Sequence, residues 1–183
     1  QYYGENGVAF ITIILYFQYI FTALYFGYSN GIAPIISFKY GNGDRKQLQD
    51  IFKNSLLFLI GSSLIANVLI HLTISETLTI FTSAGSEVFH ITMHGFSFYS
   101  LAFLIMGLSI FSSAMFTAFS DGKTSAIISF SRTFVFIVGA IVILPNMLGE
   151  VGAWLAVPVA EFLGILISIF YLIRKKSYGY WES

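Results

Sequence analysis

Long apolar stretches alternate with short polar breaks along the chain. Five stretches stand out, at about residues 8–37, 48–72, 88–119, 125–145 and 151–173. Each runs to 20 or more residues. None shows the apolar–polar alternation of a barrel strand, which is about ten residues long. The pattern predicts five membrane-spanning α-helices, because a helix satisfies its own backbone donors and acceptors inside lipid. The breaks carry turn chemistry: Gly41-Asn42-Gly43-Asp44, Ser83-Ala84-Gly85-Ser86, Ser120-Asp121-Gly122-Lys123 and Pro145 to Glu150. Such short breaks make successive helices antiparallel. The segment Glu76 to Thr82 reads as a short interfacial helix between the second and third spans. The first stretch is too long for one straight span, and Gly27, Gly31 and Pro34 in its second half predict a kink.

Composition fits this reading. Of 183 residues, 56% are hydrophobic and only 10% charged, with zero net charge and no cysteine. Mean hydropathy is +0.80. Soluble domains carry about 25% charged residues. Disorder, a water-soluble enzyme and a nucleic-acid partner are therefore excluded as readings, and thiol chemistry is absent from this sequence. No nucleophile elbow, zinc motif or phosphate loop marks an enzyme.

The charges set an orientation. Lys39, Arg45, Lys46 and Lys53 flank the first break, Lys123 lies in the third, and Arg174, Lys175 and Lys176 follow the fifth span. With Arg132 just beyond Lys123, all nine basic residues fall on one side of the membrane. Glu5, Glu76, Glu87 and Glu150 mark the other. The positive-inside rule makes the basic side and the C-terminus cytoplasmic. Tyr178, Tyr180 and Trp181 read as an interfacial anchor at that end. The start at Gln1 lacks Met and a signal peptide. An odd span count with an exported start leads us to expect the C-terminal piece of a longer protein.

Three motifs carry a family resemblance. Gly27 to Gly43, centred on Pro34-Ile35-Ile36, resembles a signature of the MATE (multidrug and toxic compound extrusion) transporters. Phe116-Thr117-Ala118-Phe119-Ser120-Asp121-Gly122-Lys123 is similar to that family's Phe-Gln-Ala-x-Gly-Lys. Gly152-Ala153-Trp154-Leu155-Ala156-Val157-Pro158-Val159-Ala160-Glu161 is similar to its Gly-x-Trp-x-Ala-x-Pro-x-Ala-acid. Ala33 and Lys39 depart from the family's usual Gln and Asn. The resemblance implies an all-α polytopic transmembrane helical bundle, with residues 1–183 as helices eight to twelve of a two-lobe transporter whose N-terminal lobe is missing. It also implies a multi-pass protein of the plasma (inner) membrane and no cofactor. The implied activity is secondary antiport: organic, often cationic, compounds leave in exchange for H⁺ or Na⁺ by alternating access. The expected partners are the lipid bilayer, a small organic substrate and the missing lobe. Two alternatives are a lipid-linked saccharide flippase of the same superfamily and a non-transporting membrane subunit or scaffold.

Glu161 is the sharpest candidate for chemistry. It lies about ten residues into the fifth span, where an ionised carboxylate must be neutral, paired or in contact with water. It reads either as a cation-coupling acid or as a structural acid bonded to Arg132 or to backbone. Pro158, three residues earlier, removes a backbone donor and marks a second kink. Arg132 reads as snorkelling to the inner interface, pairing with Asp121 or Glu161, or touching substrate. Gly31 and Pro34 are hinge candidates. Ala153, Ala156, Ala160, Gly164 and Ser168 form a small-residue packing track. Glu87, His90 and His94 share a helix face, but without a further strong ligand they read as a helix end, and no metal is expected. Gln18, Tyr16 and Tyr19 are candidates for lining a greasy pocket.

Overall fold

A computed structural model describes residues 4–181. Helix α1 is Gly4–Gly41, α2 Arg45–Leu78, α3 Glu87–Ala118 and α4 Gly122–Phe130. A π-helical turn, Ser131–Phe136, joins α4 to α5 (Ile137–Leu148). Helix α6 is Glu150–Arg174, and a short 3-10 turn, Lys176–Tyr178, follows it. Helices α4 and α5 form one span, so five spans long and apolar enough to cross a membrane result. No strand occurs among the described residues, and the all-α bundle expected from the apolar pattern is what the chain forms.

The breaks fall where capping chemistry stands. Asp44 accepts from the Gln47 amide, Ser86 from that of Phe89 and Asp121 from that of Thr124. Each satisfies a donor that the first helical turn leaves open. Gly149 joins α5 to α6 at φ 62°, ψ −135°, a conformation open to glycine and few others. One expectation is corrected. Residues 76–82 are not a separate interfacial helix: α2 continues to Leu78 and unwinds in a turn. Nothing there interrupts the backbone ladder, and Thr73 and Thr77 turn their hydroxyls back onto carbonyls four residues earlier.

Helix α3 is the spine. It packs against α1, α2, α4 and α6, while α5 lies on α6. Its core face carries Phe96, Phe103, Met106, Phe111 and Met115, all buried. Phe103 stacks on Phe21 of α1 at 4.3 Å. The Tyr25 hydroxyl donates to the Phe103 carbonyl at 3.0 Å. Two glycines admit bulky neighbours onto the α3 backbone. At Gly107 a Cβ would lie 2.9 Å from the Tyr25 ring, and at Gly95 it would overlap the Trp154 ring of α6. Most of the expected small-residue track is buried, with Ala156, Ala160, Gly164 and Ser168 inside and Ala153 exposed. Leu57, Ile60, Leu64, Ile65 and Leu72 of α2 face outward, as lipid contact requires.

The aromatic residues after α6 are also placed differently from expectation. Tyr180 is 1% exposed, packs against Phe52 and Phe119, and donates to the Leu172 carbonyl. Tyr178 stacks on Phe119. Only Trp181 stays exposed as an interfacial ring. Gly179, at φ 87°, turns the chain back so that these rings reach the bundle instead of the interface.

Gly95→Ala should lower the thermal midpoint in detergent, because Trp154 has to move; overpacking of this kind costs about 1–3 kcal/mol. Gly61→Ala, with open space at its Cβ, should leave the midpoint unchanged or slightly raised. Equal midpoints for the two variants would show that the Gly95–Trp154 contact does not hold α3 to α6.

Candidate functional site

Two charges meet near the middle of the bundle. Arg132 lies ten residues past the start of its span and Glu161 eleven past the start of α6. At 1.5 Å per residue both are about 15 Å deep in an apolar layer about 30 Å thick. The Arg132 Nη1 donates to Glu161 Oε1 at 2.9 Å. Arg132 is 8% exposed and Glu161 1%. Snorkelling is thus replaced by pairing. The second turn-residue position in the π segment aims the guanidinium inward, and Gly164 leaves room for its stem. A Cβ at Gly164 would come 3.0 Å from Arg132 Cγ. π turns of this sort widen a helix locally and recur at functional sites. Of the two partners offered by the sequence, Glu161 is chosen and Asp121 is engaged elsewhere.

The pair is not saturated. Glu161 Oε2 and the neighbouring Ser109 Oγ are buried without a protein hydrogen-bond partner. Pro158, also buried, sits one turn before Glu161 in α6. Tyr99 of α3 donates its hydroxyl to Gln18 Oε1 at 2.7 Å.

Two cavities flank the pair between α1, α3 and the α4–α5 span, the first with α6 as a further wall. On the side of Glu150 is a cavity of about 440 Å³, lined by apolar residues such as Leu15, Ile141 and Val157, with Gln18 and Tyr99 as its polar groups. On the side of Lys123 is one of about 260 Å³, lined by Asn30, Ser109, Ser113, Ser125, Ser129 and Arg132 among others. Along α3 the first reaches Tyr99 and the second starts at Ser109. Along α4–α5 they are Ile137 and Arg132. The ion pair stands between them. Gln18 lines the apolar cavity as expected, whereas Tyr16 and Tyr19 are exposed on the outside of α1.

A second charged cluster closes the Lys123 end. Asp121 Oδ2 accepts from Lys175 Nζ at 2.9 Å, the Tyr178 hydroxyl at 2.9 Å and Thr124 Oγ1 at 2.7 Å. Burial alone would raise the Asp121 carboxyl, but these donors outweigh it and hold it below the usual carboxylate range. The Asp121 carboxylate in turn raises Lys175. Gly31 and Pro34 lie on an exposed face of α1, which runs through both without interruption. His94 packs edge-on against Phe98. The hydroxyl-lined cavity and the π turn were not anticipated from sequence. The first had a signal: Ser109, Ser113 and Thr117 on α3, and Ser125, Ser129 and Arg132 after it, recur at helical spacing.

Because the folded Asp121 carboxyl is depressed, its support for the tail is fully present above about pH 4. That support is lost as pH falls through the folded value. Asp121→Asn should therefore speed tryptic cleavage at 174–176 at neutral pH, where the natural side chain protects. No change in cleavage rate would assign tail docking to the aromatic contacts alone.

A family model described as MatE matches residues 1–142. The match takes in α1 to α4, the π turn with Arg132 and the first half of α5. No curated protein and no solved structure matches the chain.

Proposed function

The chain belongs to the MatE family of membrane transporters, and on that basis we propose that it serves a secondary antiporter. In this reading organic, often cationic, compounds are exported in exchange for H⁺ or Na⁺ by alternating access, with the C-terminus cytoplasmic and the plasma membrane as its place. The observation that carries the reading is the buried Arg132–Glu161 pair standing between two cavities of opposite chemistry.

A paired acid and base away from water form a bistable element. Their attraction repays the desolvation of both only while the geometry is good. Glu161 offers one oxygen to Arg132 and keeps the other free of protein donors. A proton or Na⁺ taking that oxygen weakens the hold on Arg132, and its release restores it. Pro158 beside the acid, and Gly31 and Pro34 on α1, are where the two helices bend as the element switches. The apolar cavity with Gln18 and Tyr99 suits the organic substrate, which needs apolar walls and few polar anchors. The flippase alternative needs an unopposed positive charge for a lipid-linked anion. Arg132 is already neutralised by Glu161, which favours the antiporter.

In the full-length protein, Glu161→Gln should cut ion-driven efflux about a hundredfold or more, the scale of a lost proton-transfer group, with expression retained. Downhill substrate exchange should persist. The double variant Arg132→Gln, Glu161→Gln removes the unpaired buried arginine and controls for misfolding. Normal efflux at unchanged ion stoichiometry in Glu161→Gln would remove it as the coupling acid.

A further inference from the structure

We propose that the hydroxyl-lined cavity on the Lys123 side, here the inner one as against the outer one on the Glu150 side, is a water-filled inlet that carries water and hydronium from the Lys123 face to the Arg132–Glu161 pair and ends there. It deepens the antiporter reading, on which it rests for its purpose, by assigning the side from which the pair is reached.

The two cavities share walls from α1, α3 and α4–α5 but not their chemistry. In the outer one Gln18 and Tyr99 are the polar groups on walls otherwise built of residues such as Leu15, Ile137 and Ile141; in the inner one Asn30, Ser109, Ser113, Ser125 and Ser129 outnumber the apolar Phe26, Ile110 and Ala114. A dry cavity lined by hydroxyls wastes their hydrogen-bonding capacity, whereas a dry apolar cavity wastes none. Around the inner cavity the hydroxyls form a chain. Thr117 meets Ser125 at 2.7 Å, Ser125 meets Ser113 at 2.9 Å and Ser113 meets Ser129 at 2.6 Å. Each hydroxyl has one donor and two acceptor sites, so the chain keeps acceptors to spare for water.

The ends of the cavity define a direction. Thr117 and Ser125 are within a turn of the α3–α4 connection, which carries the exposed Lys123, and Thr117 is itself exposed. At the far end Ser109 is fully buried, its Oγ lacks a protein partner, and it stands against Gly164 beside the Arg132 stem. An unsatisfied buried hydroxyl costs about 1–3 kcal/mol; a water at the closed end removes that cost. A volume of about 260 Å³ takes several waters, each needing about 30 Å³. Beyond Ser109 the path stops. On α3 neither cavity is lined by any residue between Tyr99 and Ser109, and the ion pair stands in that interval. Water therefore meets the pair from one side.

The sequence has no cysteine, so single substitutions in the full-length protein, with any other cysteine replaced, test this directly. Ser113→Cys and Ser129→Cys would be exposed to a small membrane-impermeant cationic thiosulfonate in right-side-out and inverted vesicles. Lys123→Cys marks the basic side, and Phe134→Cys, outward-facing on the same span, marks lipid. We expect both serine positions to react from the side on which Lys123→Cys reacts, at least about tenfold faster than Phe134→Cys, with Leu15→Cys unreactive from that side. The proposal is overturned if both serine positions are as inert as Phe134→Cys in protein whose Lys123→Cys still reacts. It is equally overturned if they react from the opposite side. Labelling does not need transport, so the two readings fail separately. Directional labelling without ion-coupled efflux sinks the antiporter reading alone, and efflux without labelling sinks the inlet alone.

Discussion

Removing two opposite charges from water costs several kcal/mol for each, and a surrounding bundle can sustain it only by placing them within contact of each other. In this chain that constraint organises three elements at once. The π turn lifts Arg132 off the regular helical path, Gly164 clears the space its stem occupies, and Glu161 sits one turn past Pro158, where α6 lacks a backbone donor. The 2.9 Å contact ties the α4–α5 span to α6 in the middle of the bundle. It also separates an apolar cavity from a hydroxyl-lined one.

Away from the pair, the bundle holds together by shape. Lipid tails are as apolar as leucine, so burying apolar faces against one another gains little over leaving them in the bilayer. Close approach and specific bonds have to supply the difference. Gly95 under Trp154 and Gly107 under Tyr25 let rings lie on the α3 backbone. Polar bonds stitch neighbouring spans: Tyr28 to Ser55 between α1 and α2, Asn67 to the Ser100 carbonyl between α2 and α3. In water these bonds would contribute modestly. Between helices in lipid, they fix register.

The same physics decides what was legible in the sequence. Span number and approximate limits were open to reading, because the bilayer imposes one length and the breaks use Gly, Asn, Asp and Ser where turns and caps need them. Which face of each span is buried was not. On α2 the buried Phe52 and Leu59 and the exposed Leu57 and Ile60 are equally apolar, so no amphipathic stripe distinguishes core from lipid. Glu161 and Arg132 were visible as misplaced charges, and their pairing was one of several arrangements the spacing allowed. The geometry that selects it, a π turn opposite a glycine, leaves no periodic trace. The fate of Tyr178 and Tyr180 was hidden for a related reason: aromatic rings beside a membrane boundary suit an interface and a core alike, and Gly179 decides between them.

The segment beyond α6 has a consequence for how this bundle is made. Tyr178 and Tyr180 seal the ends of α1, α2 and α3 through Tyr40, Phe52 and Phe119, and Lys175 locks onto the α3–α4 connection. These groups leave the ribosome after every helix they secure. Helices inserted early therefore wait, apposed but unsealed at one end, until translation has passed α6. Closure of that end waits for the tail, and until the tail docks the aromatic cluster stays open at the membrane surface.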